Sequence, residues 1–186
     1  PGWANEPELL VRVDNIPDQE IDDAHTGAKA YLLQYIEETT GFKLDPEVLT
    51  IGFARRATAY KRANLIFTDP QRLLKVGEGK LQLVFSGKAH PHDDHGKKMI
   101  QEIRQQSEIF GDKLKIVYLP NYNMDVASRL IPGVDVWLNN PLRPLEASGT
   151  SGMKAALNGV PNFSVLDGWW IEGHIEGVTG WSIGPP

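Results

Sequence analysis

The sequence contains no cysteine in its 186 residues, which excludes disulfides, thiolate metal sites and a cysteine nucleophile. It also has no apolar run long enough to cross a bilayer as a helix. Basic residues are fewer than acidic ones: the chain has 19 Lys and Arg residues and 24 Asp and Glu residues, which gives a formal net charge of -5. We therefore expect no nucleic-acid partner and no membrane partner. Long internal repeats and low-complexity tracts are absent as well.

Length and composition indicate one globular domain. Hydrophobic residues make up 41% and charged residues 23% of the chain, which is ordinary for a protein with a packed core. The chain starts at Pro1 rather than Met and stops at Pro186 after a Gly-rich tail, so we expect a piece of a longer protein. Residues 1–20 hold three prolines and many acids, and we interpret them as an extended lead-in. Residues 21–186 are the predicted domain.

Short apolar runs alternate with helical patterns along that domain. The predicted strands are 48–53, 81–85, 114–119, 134–138 and 163–166. The predicted helices are 25–40, 55–67, 69–74, 94–109, 124–131 and one around Lys154, and residues 167–186 are predicted to be loop. This alternation predicts an α/β fold, in which helices cover both faces of a parallel sheet. Ligands of such folds bind where the strands end, so the loops after Phe53, Phe85 and Leu138 are the candidates for a ligand site.

The stretch 143–159 predicts a loop that becomes a helix. Thr150 and Ser151 are good N-cap residues, and a small-residue loop before a helix leaves backbone amides free to bind an anion. Lys154 follows one turn later in a helix that we expect to be mostly buried, where burial favours the neutral amine that attacks a carbonyl. An aldehyde cofactor that carries a phosphate fits both features. The alternative is an ordinary solvated lysine.

A basic run follows the first predicted strand. Four cations lie within residues 55–62, and arginine and lysine both suit phosphate oxygens. The alternative is a solvated basic face at the start of a helix. Cations there would oppose the positive end of the helix dipole, so we favour an anion site.

A polar loop follows the second predicted strand. Residues 86–95 hold three histidines and two aspartates, which could suggest a metal. Pro91 breaks the segment and the spacing matches no metal motif, so we predict no metal site. Asp93 or Asp94 is instead predicted to cap the next helix.

Two further features are compatible with carbohydrate binding. Glu146 lies in a Gly/Ser-rich loop, where its carboxylate could accept bonds from sugar hydroxyls while Ser148 and Gly149 add backbone donors. The alternative is a solvent-facing acid. Trp169 and Trp170 could stack on sugar rings, seal a core or lie at a domain interface, and we favour the interface.

Several motifs resemble those of one enzyme family. Residues 146–154, Glu-Ala-Ser-Gly-Thr-Ser-Gly-Met-Lys, resemble the cofactor-lysine motif of the α-glucan (glycogen, starch and maltodextrin) phosphorylases. Residues 52–56 and 60–62 resemble that family's phosphate-site motif. Residues 86–91, 134–139 and 166–170 are similar to its shorter bacterial and archaeal branch. The resemblance runs from about residue 15 to the end, with the motifs in the family's order.

The resemblance implies a B-type glycosyltransferase fold, in which two Rossmann-like domains enclose the active site, and this chain is similar to the C-terminal domain. It implies a cytoplasmic enzyme that cleaves α-1,4-glucan with inorganic phosphate and releases glucose 1-phosphate with retention. The implied cofactor is pyridoxal 5′-phosphate, whose phosphate exchanges a proton with the substrate phosphate. The missing N-terminal domain would supply a glycine-rich phosphate loop and sugar contacts, so the isolated chain is expected to be inactive.

The resemblance also implies roles for individual residues. Lys154 would form a Schiff base with the cofactor. Thr150, the Ser151 backbone and Arg55 would hold the cofactor phosphate, whereas Arg56 and Lys61 would hold the substrate phosphate. The implied catalytic residues are therefore Lys154, Arg56 and Lys61. The residues that would bind glucose hydroxyls are Glu146, Ser148 and Gly149.

Two alternatives remain at this point. A nucleotide-sugar glycosyltransferase of the same architecture carries a second glutamate eight positions after the first, where it binds ribose. That position here is Lys154, and an ammonium cannot accept a hydroxyl's hydrogen bond. The second alternative is a non-catalytic module that binds sugar or phosphate.

Overall fold

A six-stranded parallel sheet forms the centre of the protein. The structure is a computed structural model and describes residues 5–185. The strands are β1 (Leu49–Ala54), β2 (Leu81–Ser86), β3 (Ile116–Leu119), β4 (Val136–Asn139), β5 (Asn162–Val165) and β6 (Gly180–Ile183). Their order is β3-β2-β1-β4-β5-β6, and each neighbouring pair is parallel.

Helices connect the strands. They are α1 (Asp18–Thr40), α2 (Pro70–Gly77), α3 (Asp94–Phe110), α4 (Met124–Gly133), α5 (Thr150–Leu157) and α6 (Trp170–Gly173), with 3-10 helices at Pro7–Asn15, Ala59–Lys61 and Leu65–Phe67. Polar side chains cap three of them, because Asp69, Asp93 and Asn123 each accept a hydrogen bond from the amide of the third residue of α2, α3 and α4. None of the helices within residues 5–185 has the length and apolar character needed to span a membrane.

Apolar side chains cover both faces of the sheet. Val84 of β2 points into a core formed with α1, α4 and α5, whereas its neighbours Leu83 and Phe85 point into a second core formed with α2 and α3. All three side chains are almost completely buried. The prediction of a Rossmann-like α/β fold with helices on both faces is confirmed.

One carboxylate ties α1 to the amino ends of two strands. Asp135 accepts hydrogen bonds from His25 Nε2 at 2.9 Å, Lys29 Nζ at 2.7 Å and the Thr50 amide at 2.6 Å. Burial raises the pKa of Asp135, but these three hydrogen bonds outweigh it, so its pKa lies below the ordinary value. The cluster lies at the sheet edge opposite the loops that follow the strands.

The predicted helix over residues 55–67 is wrong, because only two short 3-10 turns form there. Arg62 adopts a left-handed conformation with φ of 50°, and its Nε donates to the Asn140 carbonyl at 2.8 Å. The Tyr60 carbonyl accepts from the Leu142 amide at 2.7 Å. Bonds to the loop after β4 thus replace the bonds of a helix. Without a helix at this position, these cations have no helix dipole to oppose.

The terminal regions also differ from the prediction. Residues 7–15 form a 3-10 helix rather than an extended lead-in, and residues 1–4 lie outside the described part of the chain. The predicted loop over 167–186 contains α6 and β6, so the sheet has a sixth strand. Gly180 permits that strand, since a Cβ there would lie 1.8 Å from the Asn162 carbonyl oxygen.

The two tryptophans belong to this domain's own packing. Trp170 is fully buried, so the prediction that it lies at a domain interface is wrong. The Trp169 indole packs on two glycines, because a Cβ on Gly152 or Gly173 would lie 2.8 or 2.3 Å from its ring atoms.

Candidate active site

Loops at the carboxyl edge of the sheet enclose a cavity of about 550 Å³. The loops after β1, β2, β3 and β4 and the start of α5 all contribute to its wall. Every residue predicted as a site residue lines it: Arg55, Arg56, Lys61, Glu146, Ser148, Gly149, Thr150, Ser151 and Lys154. The three loops expected to hold a ligand, those after β1, β2 and β4, therefore line one cavity, and the loop after β3 joins them.

Glu146 is an ion-pair centre rather than a solvent-facing acid. The residue is 7% exposed. Its Oε2 lies 2.6 Å from Arg55 Nη2 and 2.5 Å from Lys61 Nζ, and both cationic side chains are also buried. One carboxylate, from the loop after β4, thus compensates two cations from the loop after β1.

Arg55 retains an unused donor. Burial lowers the pKa of Arg55, and the nearby Glu146 carboxylate opposes that change. Its Nη1 is buried and has no hydrogen-bond partner among the described residues. Because an unpaired buried donor is costly, this atom is a natural contact for an anion in the cavity.

Two adjacent loops keep strand-like pairing beyond β1 and β2. The register pairs Ala54 with Ser86. The Arg55 amide then donates to the Ser86 carbonyl at 3.3 Å, and the Ala57 amide donates to the Lys88 carbonyl at 3.0 Å. This spacing requires glycine at position 87, where a Cβ would lie 2.2 Å from the Arg55 carbonyl oxygen.

A buried aspartate positions the loop that carries Glu146. Asp167 Oδ2 accepts from the Glu146 amide at 2.9 Å, and the Trp169 amide donates to the Ser148 carbonyl at 2.8 Å. The sequence interpretation did not identify Asp167 as a site-supporting residue. Its position directly after β5, at the same sheet edge, was the available signal.

Helix α5 opens onto the cavity. Gly149, with φ of 89°, occupies the N-cap position, so the prediction of Thr150 or Ser151 as the cap is wrong. Those two are the first helical residues, and in the described chain neither amide donates a hydrogen bond. Ser151 Oγ accepts from Trp137 Nε1 at 3.3 Å. The free amides and the helix dipole both favour an anion.

Lys154 is exposed, so the prediction of a buried lysine is wrong. Helix α5 buries only Gly152 and Ala155, and Lys154 lies on the face that lines the cavity. The predicted activation of its amine by burial therefore does not apply to this chain. Its predicted location still holds, because Lys154 lines the cavity and its amine can contact a group bound there.

The cavity is also lined by four residues to which the sequence gave no site role, namely Ala54, Tyr60, Lys88 and Tyr122. Lys61 Nζ lies 4.5 Å from the Tyr60 ring centroid, a cation–π distance. Burial raises the pKa of Tyr122, with the Arg55 charge opposing it. Both Lys88 and Tyr122 closely follow strands, which was the signal for them.

The histidine-containing loop has a structural role. Asp93 Oδ1 accepts from the Gly96 amide at 2.9 Å, which confirms the predicted cap of α3. His90 and His92 are exposed. Across residues 5–185 no group of His, Asp or Glu side chains has an arrangement that could hold a metal ion.

Comparison with known proteins identifies the family. The family model described as carbohydrate phosphorylase matches residues 3–178. The chain is 48% identical to maltodextrin phosphorylase of Thermococcus litoralis over 191 residues, covering 95% of the chain and 23% of that protein. It is 45% identical to glycogen phosphorylase of Aquifex aeolicus, covering 95% of the chain and 28% of the relative. A glycogen phosphorylase of Mycobacterium tuberculosis is 53% identical over 142 residues, or 75% of the chain and 16% of that protein.

The chain thus spans about a quarter of the length of the first two relatives. The similarity includes the cavity, because every lining residue falls inside the matched range of 3–178. The chain belongs to the carbohydrate phosphorylase family.

Proposed function

We propose that the full-length protein containing this chain is a pyridoxal-phosphate-dependent α-1,4-glucan phosphorylase. The observation that carries the proposal is that all nine residues to which the family resemblance gives a role line one cavity rich in cations. The names of the relatives, maltodextrin phosphorylase and glycogen phosphorylase, agree with this substrate class. In the reaction, the bond between C1 and the glycosidic oxygen breaks and a bond from C1 to a phosphate oxygen forms. The proton of the phosphate passes to the leaving oxygen.

The residues at the start of α5 fit a phosphorylated aldehyde. Lys154 presents an exposed amine as the attachment point, and the free amides of Thr150 and Ser151 can hold a phosphate. The unpartnered Arg55 Nη1 supplies a further donor. Pyridoxal phosphate bound there supplies an acid–base phosphate group next to the substrate. The chain's own contribution is to hold that group's charge with amides and a guanidinium.

The basic run and the Glu146 loop fit the two substrates. Arg56 and Lys61 would hold inorganic phosphate, and Glu146, Ser148 and Gly149 would hold glucose hydroxyls. Because Lys61 and Glu146 contact each other at 2.5 Å, substrate binding has to share or exchange that ion pair. Cations beside the phosphate keep it close to C1, and its negative charge stabilises the oxocarbenium character of the sugar.

The remaining part of the enzyme would be the N-terminal domain of a B-type fold. A cavity formed by one domain leaves the sugar open to water, so we propose that this chain alone is inactive. Nucleotide-sugar transfer is the weaker alternative, because Lys154 occupies the position where a carboxylate would bind ribose and because the chain belongs to the phosphorylase family.

The test is to reduce the full-length protein with borohydride in the presence of pyridoxal phosphate and to map the label by peptide mass spectrometry. We expect a single label on Lys154 and phosphate-dependent release of glucose 1-phosphate from maltodextrin. The variant Lys154→Ala should lose both. Lys98→Ala is the matched control, since Lys98 is an exposed lysine outside the cavity and should keep both. A full-length protein that is labelled elsewhere, or that releases no glucose 1-phosphate, would overturn the proposal.

A further inference from the structure

Two cations lie on paired backbone segments just beyond β1 and β2, at the cavity. The hydrogen bond from the Ala57 amide to the Lys88 carbonyl extends the β1–β2 register, so that Arg56 is paired with Lys88. Adjacent strands are about 4.8 Å apart, and both residues line the cavity. Both are exposed at its rim.

Like charges on directly opposed residues repel each other, and an anion bound between them would remove that repulsion. Within residues 5–185 neither Arg56 nor Lys88 makes an ion pair with a carboxylate. The cavity's one carboxylate, Glu146, is already held by Arg55 and Lys61.

The backbone fixes Lys88 in this position. Gly87 lies against the Arg55 carbonyl, and Tyr118 Oη donates to the Gly87 carbonyl at 2.9 Å. Ser86 Oγ donates to the Leu119 carbonyl at 2.8 Å. Because these contacts already order the loop, less backbone entropy is lost when Lys88 binds an anion than for a lysine on a mobile loop.

We propose that Lys88 is a phosphate-positioning residue, which holds the attacking inorganic phosphate together with Arg56 across the β1–β2 pair. This inference rests on the proposed phosphorylase function. It adds to Arg56 and Lys61 a cation that, unlike Lys61, makes no ion pair with Glu146. The role is electrostatic, so it requires a positive charge at position 88 rather than a particular shape.

The experiment compares Lys88→Met, Lys88→Arg and Lys98→Ala in the full-length holoenzyme. We expect Lys88→Met to raise the KM for inorganic phosphate by about ten-fold, as for loss of one charge-assisted hydrogen bond, with little change in the KM for maltodextrin. Lys88→Arg should restore most of the loss, and Lys98→Ala should have none. Isothermal titration with inorganic phosphate should show the same loss of affinity in Lys88→Met without any turnover.

Other outcomes count against the inference. An unchanged phosphate KM in Lys88→Met would overturn it. An equal change in both KM values, or a fall in kcat alone that Lys88→Arg does not rescue, would assign the residue to domain packing instead. The proposed function is judged separately, since its failure would appear as absent phosphorolysis in the unaltered protein.

Discussion

The Glu146 ion-pair centre makes a quantitative prediction about stability and anion binding. In Glu146→Gln the side chain keeps its shape but loses its charge, so Arg55 and Lys61 lose their shared counter-ion at 2.6 and 2.5 Å. Burial already lowers the pKa of Arg55, and Glu146 is the first group that opposes this effect. The variant therefore leaves two buried cations uncompensated.

The size of the effect follows from the burial of all three side chains. Removing one partner of a buried ion pair costs about 3 to 5 kcal/mol. The glutamine oxygen can still accept one hydrogen bond and the cavity admits water, so we expect about 2 to 3 kcal/mol. For a chain of this length that lowers the Tm by roughly 4 to 12 °C. Inorganic phosphate should restore part of the loss, because it can replace the missing negative charge.

The assay is thermal unfolding by circular dichroism of the 186-residue chain, in phosphate-free buffer and at increasing phosphate concentration. Glu102→Gln is the matched control, since Glu102 is exposed, accepts a hydrogen bond from the Asn64 amide group and makes no ion pair within residues 5–185. It should change the free energy of unfolding by less than about 0.5 kcal/mol. If Glu146→Gln is as stable as the unaltered chain, or if phosphate raises both Tm values equally, the ion pair does not have the role described.

Three further predictions concern the fold. Asp135→Asn should lower the free energy of unfolding by about 2 to 3 kcal/mol at neutral pH, as measured by urea unfolding. The pKa of Asp135 is lowered in the folded state, so the stabilisation by its carboxylate is complete above the ordinary value of 3.8 and is lost as pH falls through the folded-state pKa. The two chains should therefore become equally stable in acid. Gly133→Ala should cost about 1 to 3 kcal/mol, since its Cβ would lie 2.6 Å from Leu32 Cβ, whereas Gly27→Ala in open space on α1 should be stabilising. Burial raises the pKa of Tyr118 to about 12, with the Arg104 charge opposing this change, so Tyr118 stays protonated at about pH 10.5. Tyr118→Phe should therefore leave the phenolate absorbance of the protein at that pH unchanged. A decrease in absorbance would contradict this prediction.

The strands were predictable because parallel strands are buried on both faces. Residues 81–85 are apolar at four of five positions, and β2 forms there with one residue added. β6 was not predictable in this way, because Gly180 starts a four-residue strand that has no apolar run. Its pairing depends on the close approach to Asn162, which is a tertiary contact.

The sequence was sufficient to predict where the site lies, but not which side chains contact each other within it. The loops after the first, second and fourth strands were expected at one sheet edge, and their residues do line one cavity. The pairing of Lys61 with Glu146 joins residues 85 positions apart, and no local pattern encodes it. The exposure of Lys154 depends similarly on which face of α5 meets the core, and the small residues Gly152 and Ala155 take that face.

The charges of the cavity divide into two groups by burial. Five cations and one carboxylate line it, and the carboxylate is paired with the two buried cations, Arg55 and Lys61. The exposed cations, Arg56, Lys88 and Lys154, have no carboxylate partner in the part of the chain that the structure describes. A buried cation that is paired avoids the cost of an uncompensated charge. An exposed cation is hydrated, so it needs no carboxylate partner and is available to bind an anion. The inner part of the cavity is therefore stabilised by the fold itself, and the outer part is where an incoming anion gains most.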